Sequence, residues 1–479
     1  MHDVVIRGAL VLDGSDQAGK VADVAITGGR ISAVGALDDV AAGQVIDAAG
    51  LALAPGFIDV HTHDDIEVIR NPAMLSKLSQ GVTTVVVGNC GISASPVRIH
   101  DGVPDPMNLL GDAEDFRYPD FASYRSAVEQ ASPAVNVAAL VGHTALRQNH
   151  MDRLDRAASD REISAMRSQL RQSLQQGALG LSSGLAYASA YHAPSSEVDA
   201  LAQELPRGGL YATHLRDEFA GVLDAMEEAF TAARAPQAAV RVSHLKCAGI
   251  DNWGRSQQVL DCLQHASRQQ DVACDCYPYA ASASTLDLKQ VTDAYDILIT
   301  WSDPEPEQGG RLLADIAAQW QVPLLDAAIR LQPAGAVYHG MDEGDVRRIL
   351  SHPLTMIGSD GLPRDPRPHP RLWGTFPRVL GHYARDEKLF PLHTAVHKMT
   401  GLPATRFAMG ARGFIREGWC ADLVLFDPAR VRDTASFHDP VQAAEGIASV
   451  WVNGRLAYDG HSVVARPGQF ITPQASPAG

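Results

Sequence analysis

Six side chains able to bind a metal stand at the ends of apolar, β-prone runs. His61 and His63 flank a single threonine after LALAPGFIDV, Cys90 closes VVVGNC, His214 follows LYAT, His244 follows VRVS, and Asp360 follows TMIGS. Side chains alternate along an extended strand, so a His-x-His pair points both imidazoles the same way and offers two ligands from one strand. Imidazole, thiolate and carboxylate donors together suit zinc, and catalytic zinc sites keep one position for water. Zinc lowers the pKa of a coordinated water from about 16 towards roughly 7, so the chemistry that fits this set is hydrolysis. Any one of these histidines, taken alone, reads as an ordinary hydrogen-bonded core or loop residue. Their matched positions at five strand ends give the set its meaning.

Other candidates read more plainly. His143 in LVGHT also ends a strand, but the donor set is complete without it. Cys274 and Cys276, a C-x-C pair inside the run ACDCYPY, read as packing thiols, and His369 in DPRPHPRLWG as a residue that shapes a loop.

A common frame must bring these residues together. Apolar β-type runs end near Val60, Val87, Val141, Leu181, Thr213, Ser243, Cys276 and Ser359, separated by helix-patterned stretches such as DREISAMRSQLRQSLQQG. Strands alternating with helices imply parallel pairing through right-handed crossovers, and eight such units close into a (β/α)8 TIM barrel. The C-terminal strand ends of that fold carry its chemistry, which is where the six donors fall. Residues 1–54 and 413–479 have a different texture, with short alternating runs broken by glycines and an Asn453–Gly454 hairpin signal. Both chain ends are expected to build one small β-sandwich domain around a barrel spanning 55–412, with an insertion at about 278–349 that has helices of its own. Residues 471–479 look like a loose tail.

Composition narrows the partners. Forty basic against 56 acidic residues give a net charge of −16, which disfavours nucleic acid and anionic membranes and favours a small-molecule substrate. No stretch has the length of a membrane span and the first residues do not resemble a secretory signal, so a cytoplasmic protein is expected. Six cysteines in so long a chain do not make a disulfide framework.

A barrel opened by PGFIDVHTH and closed by a strand-8 aspartate, flanked by a β-domain from both termini, resembles the amidohydrolase superfamily. Within it, GVTTVVVGNCGIS, YATHLRDE, SHLKCAG, PAGAVYHGMDE, MIGSDGLP and HPRLWGTFPRVLGHYARD are similar to the D-aminoacylase and N-acyl-D-amino-acid deacylase family, over nearly the whole chain. The resemblance implies one tight zinc held by Cys90, His214 and His244, and a second, weaker position at His61, His63 and Asp360. Strand 4, GALGLSSG, has no lysine for the carbamate bridge found elsewhere in the superfamily, and Cys90 supplies the anionic ligand instead. Asp360 would take the proton of the attacking water and return it to the leaving amine. The substrate implied is an N-acyl-D-amino acid, its carboxylate gripped by Lys246 and Arg371 with Tyr277 and Ser284, and Tyr187 turned towards it. Tyr338 and Met341 match a pocket for neutral, hydrophobic side chains; Lys289 in STLDLKQVTD offers a partner for an acidic one, which keeps an N-acyl-D-glutamate or N-acyl-D-aspartate deacylase as the alternative, but the arginine-containing segment expected of the D-glutamate-type relatives is absent. Ala186 stands where relatives can carry phenylalanine, which widens the expected pocket.

Two rivals make different demands. A cyclic-amide hydrolase of the dihydroorotase or hydantoinase kind predicts the missing strand-4 lysine. A barrel that has lost catalysis and serves in binding or assembly predicts lost ligands, but all six are present.

Overall fold

The computed structural model describes residues 1–38, 40–100 and 102–473. Eight parallel strand segments form its centre: β1 (Phe57–Asp59), β2 (Val82–Val87), β3 (Asn136–Ala139, resuming at Val141–Gly142), β4 (Gly180–Gly184), β5 (Leu210–His214), β6 (Ala239–Val242), β7 (Val272–Cys276) and β8 (Thr355–Ile357). β1 pairs with β2 and β2 with β3, and the second part of β3 starts an unbroken parallel ladder through β4, β5, β6 and β7 to β8. A parallel bridge between Thr62 and Gly361 joins the two ends and closes the barrel. Every residue of β2 is buried, as expected for a sheet covered on both faces and built from β-branched residues.

The helices between strands follow the sequence pattern. Helix Asp160–Gln175 starts at a capping box, in which Ser159 and Glu162 each satisfy the other's backbone N–H, and it buries Met166 and Leu170. The predicted strand ends fall within three residues of those observed, the widest difference being Leu181 against Gly184.

The chain termini meet in one eight-stranded sheet. Leu423–Phe426 runs antiparallel to Ala52–Pro55, so the C-terminal strands extend the sheet begun by His2–Val11. Ile6, Val24, Ile31, Leu53, Leu423 and Trp451 give this sheet a core of its own. Asn453 and Gly454 both have positive φ, +50° and +76°, between strands Ile447–Val452 and Arg455–Tyr458, as a two-residue hairpin turn requires.

Between β7 and β8 the chain adds a four-stranded antiparallel layer, Ser282–Thr285, Ile297–Ser302, Arg311–Leu312 and Ala334–Tyr338, backed by helices Leu313–Trp320 and Leu324–Leu331. The sequence suggested the helices of this segment but not its sheet. The start of the expected tail is held down: Ile471 N donates to Val137 O at 2.7 Å, while 474–479 lie outside the described residues. Among the described residues no helix is long and apolar enough to cross a membrane.

Candidate metal centre

The strand ends bring all six predicted donors together. His61, His63, Cys90 and Asp360 form one group whose ligand atoms lie within 4.8 Å of one another, and Cys90, His214 and His244 form a second, with the thiol common to both. Cys90 Sγ is 3.2 Å from His61 Nε2 and 3.4 Å from His244 Nε2, and Asp360 Oδ1 is 3.2 Å from His63 Nε2. His143 stays outside both groups, paired through Nε2 with Glu197 at 2.9 Å.

Backbone geometry aims the donors. Cys90, His244 and Asp360 adopt left-handed φ values of +54°, +36° and +49°. Such conformations cost about 1–3 kcal/mol each in non-glycine residues and persist where the surroundings enforce them, commonly at functional sites. Gly358 permits the close approach of β8: a Cβ there would stand 2.6 Å from His61 Cβ and 2.9 Å from Asp275 Oδ1.

The electrostatics suit a cation. Burial by itself opposes a thiolate at Cys90, but His61 and His244 beside it pull its pKa well below the ordinary thiol value. Burial likewise opposes the Asp360 carboxylate, yet Arg371, His244 and His61 hold it well below the usual carboxylate range. By contrast Cys274, with no such neighbours, is pushed up to about 12 by burial, and it and Cys276 pack into the hydrophobic core as expected of inert thiols. A buried soft anion ringed by imidazoles, with a carboxylate 3.2–3.4 Å from two of them, is a donor set that fits zinc.

Residues around the donors were less legible. Glu218 Oε1 lies 3.0 Å from His244 Nδ1 and 2.6 Å from Lys246 Nζ, and Asp275 reaches His61 Nδ1 at 3.3 Å and accepts from His244 N at 2.9 Å. Neither was singled out from the sequence. The available signals were Glu218 one helical turn's spacing after His214 and Asp275 between two outward-facing cysteines. Carboxylates on the second nitrogen of a ligand imidazole fix its tautomer and orientation.

Of the residues expected to touch substrate, Arg371 is the most telling. Its Nη2 is 2.9 Å from Asp360 Oδ2 and donates to Ala283 O at 3.1 Å, while its guanidinium lies 4.6 Å over the Tyr277 ring. Nε and Nη1 are buried with no partner among the described residues. Leaving buried donors unpaired costs about 1–3 kcal/mol each, so their retention beside the donor cluster fits a carboxylate-bearing ligand. His369 shapes this loop, accepting from Arg371 N at 3.0 Å through Nδ1 and donating from Nε2 to Ala281 O. Tyr187 Oη is 3.2 Å from His214 Nδ1, and Ser284 of the inserted layer is among the neighbours of its phenol. Met341 Sδ accepts from Tyr277 Oη at 3.7 Å. Lys246 is brought to the site but already paired with Glu218. Tyr338 is drawn instead into the core of the inserted layer, its hydroxyl donating to Thr285 O at 2.9 Å. Lys289 is exposed and lays its ammonium 4.7 Å over the Tyr191 ring.

Comparison with known proteins gives the same frame. The profile of the amidohydrolase family matches residues 44–458. The chain belongs to this family. It is 48% identical over 474 residues to an N-acyl-D-aspartate deacylase of Alcaligenes xylosoxydans xylosoxydans, covering 98% of this chain and 95% of that one. A D-aminoacylase of the same organism is 49% identical over 453 residues, with 94% and 93% covered. The structure of an N-acyl-D-glutamate deacylase from Bordetella bronchiseptica, in complex with zinc and a phosphonate mimic of the tetrahedral intermediate, superposes with a TM-score of 0.95 at 43% identity, covering 98% of this chain and 99% of that one.

Proposed function

We propose that this amidohydrolase is a zinc-dependent deacylase that cleaves N-acyl-D-amino acids to a carboxylate and a free D-amino acid. The observation that carries the reading is the thiolate, imidazole and carboxylate cluster beside an arginine with two unpaired buried donors. Cys90, His214 and His244 would hold one zinc tightly, and His61, His63 and Asp360 a second, weaker one. Bound there, zinc supplies Lewis acidity to an amide carbonyl and acidifies water.

The chain's own residues do the rest. Asp360 accepts the proton of the attacking water and delivers it to the amide nitrogen as the C–N bond breaks. Its two oxygens divide the work, Oδ1 towards the histidines and Oδ2 towards Arg371. Arg371, with Lys246, Tyr277 and Ser284, fixes the substrate α-carboxylate and so orients the scissile amide, and Tyr187 packs against it. Met341, whose Sδ accepts from Tyr277 Oη, belongs to the side-chain pocket of this reading, which favours neutral, hydrophobic substrates; the placement of Lys289 over the Tyr191 ring supports that preference. The three relatives named above act on D-aspartate, D-amino-acid and D-glutamate derivatives, so likeness alone does not choose the side chain.

The proposal includes a catalytic unit at 55–412, a terminal β-domain at 1–54 and 413–479, and a cytoplasmic setting, the last supported by six cysteines that are all free thiols. A panel of N-acetylated amino acids, D and L, apolar, amidic and acidic, assayed for free amine with added zinc, tests it. Release of amine from apolar D-isomers is expected, and activity confined to L-isomers would overturn the reading.

A further inference from the structure

A buried cluster lies behind the donors and takes no part in the reaction described above. Lys77, in the short helix Leu75–Leu78, is fully buried. Its ammonium donates to Asp59 Oδ2 at 2.8 Å, Thr62 Oγ1 at 2.9 Å and Ser359 Oγ at 3.0 Å, and lies 3.1 Å from Asp64 Oδ2. Thr62 is the residue between the two histidines, and strand alternation turns it to the face opposite theirs. Asp59 accepts from His61 N at 3.3 Å and from Ser359 N at 2.8 Å, and Ser359 Oγ donates to it at 2.5 Å. One ammonium therefore touches β1, the residue between the ligands that follow it, and the residue just before Asp360.

The place matters because this is the barrel's seam. β1 and β8 share no regular ladder; they meet through the Thr62–Gly361 bridge, with Asp360 N donating to His61 O at 2.7 Å and His63 N to Gly361 O at 3.0 Å. The same seam must hold two histidines from one edge against a carboxylate from the other. A buried ammonium is costly unless fully paired, and here every partner is a residue that fixes the two edges.

We propose that Lys77 is a positioning residue: its buried ammonium fastens β1 to β8 and so sets the spacing of His61 and His63 against Asp360 for the second, weaker metal. This rests on the zinc-hydrolase reading above. The Cys90, His214 and His244 position draws all three of its donors from other strands, β2, β5 and β6, and does not depend on the clamp.

Lys77→Met leaves Asp59 and Asp64 buried beside an apolar chain and is expected to fold poorly, so the deciding variant is Ser359→Ala, which removes the ammonium's contact on the β8 side and keeps the Lys77–Asp59 pair. Purified enzyme carrying one zinc per chain is titrated with zinc by calorimetry, with melting curves and steady-state kinetics alongside. Ser359→Ala should melt near the wild type and keep its tight zinc, but bind the second zinc roughly 10-fold or more weakly and, assayed with one zinc per chain, show a lower kcat with KM unchanged because Asp360 is displaced, with recovery in Ser359→Thr. Wild-type affinity for the second zinc in Ser359→Ala, equal loss of the tight zinc, or a wild type that binds only one zinc would each overturn the clamp. A wild type that takes up zinc at both positions but releases no amine from the substrate panel would instead sink the hydrolase reading.

Discussion

The two halves of the donor cluster are assembled in different ways. Cys90, His214 and His244 arrive from β2, β5 and β6, and the groups around them, Tyr187 on His214 and Glu218 on His244, support the imidazoles without engaging the thiol. His61, His63 and Asp360 arrive from one neighbouring strand pair, and the carboxylate among them already spends Oδ2 on Arg371 at 2.9 Å. A carboxylate shared with a guanidinium has less charge left to attract a metal. The same sharing leaves it with an oxygen suited to carrying a proton during turnover. On this physical ground we propose the first half as the tight holder and the second as the weaker, working half.

Substitutions can break or sharpen the contrast. Cys90→Ala should have the largest effect, removing bound zinc and turnover together by on the order of 10³-fold or more. Metal analysis and amine release would show both losses, and a variant that hydrolyses normally without zinc refutes the assignment. Asp360→Asn should keep the tight zinc yet lower kcat by roughly 10²–10⁴-fold, as expected for a proton carrier; unchanged turnover would exclude that role. Arg371→Met should act least on the chemical step, raising KM roughly 10–100-fold through loss of charge-assisted hydrogen bonds. It should also strengthen binding of the second zinc, because Asp360 no longer shares its charge. Weaker binding of that zinc in Arg371→Met would contradict the account of why the halves differ.

Much of the site was legible before any coordinates because its signals are local. His-x-His at the end of a buried run, cysteine between glycines after VVV, and aspartate after TMIGS each announce a strand end with a donor on it. His369 was read as shaping a loop, and it fixes Arg371 N. Tyr338 shows the opposite case. Its motif suggested a substrate pocket, but the antiparallel pairing of Ala334–Tyr338 with Ser282–Thr285 carries it into a separate core, since the sheet of the inserted layer was not visible in the pattern.

The sequence by itself determined which atoms can bind a metal, their order along eight strands, and a barrel whose rim collects them, because strand alternation and helix periodicity act over a few residues. Only the tertiary structure decided that Arg371 pairs with Asp360, that Glu218 neutralises Lys246, that Asp275 supports His61 and that Lys77 seals the seam beneath the histidines. Asp275 with His61 and Lys77 with Ser359 join segments 214 and 282 positions apart in the chain. Which charge meets which is settled there by the closure of the barrel and the cost of leaving any of them buried without a partner.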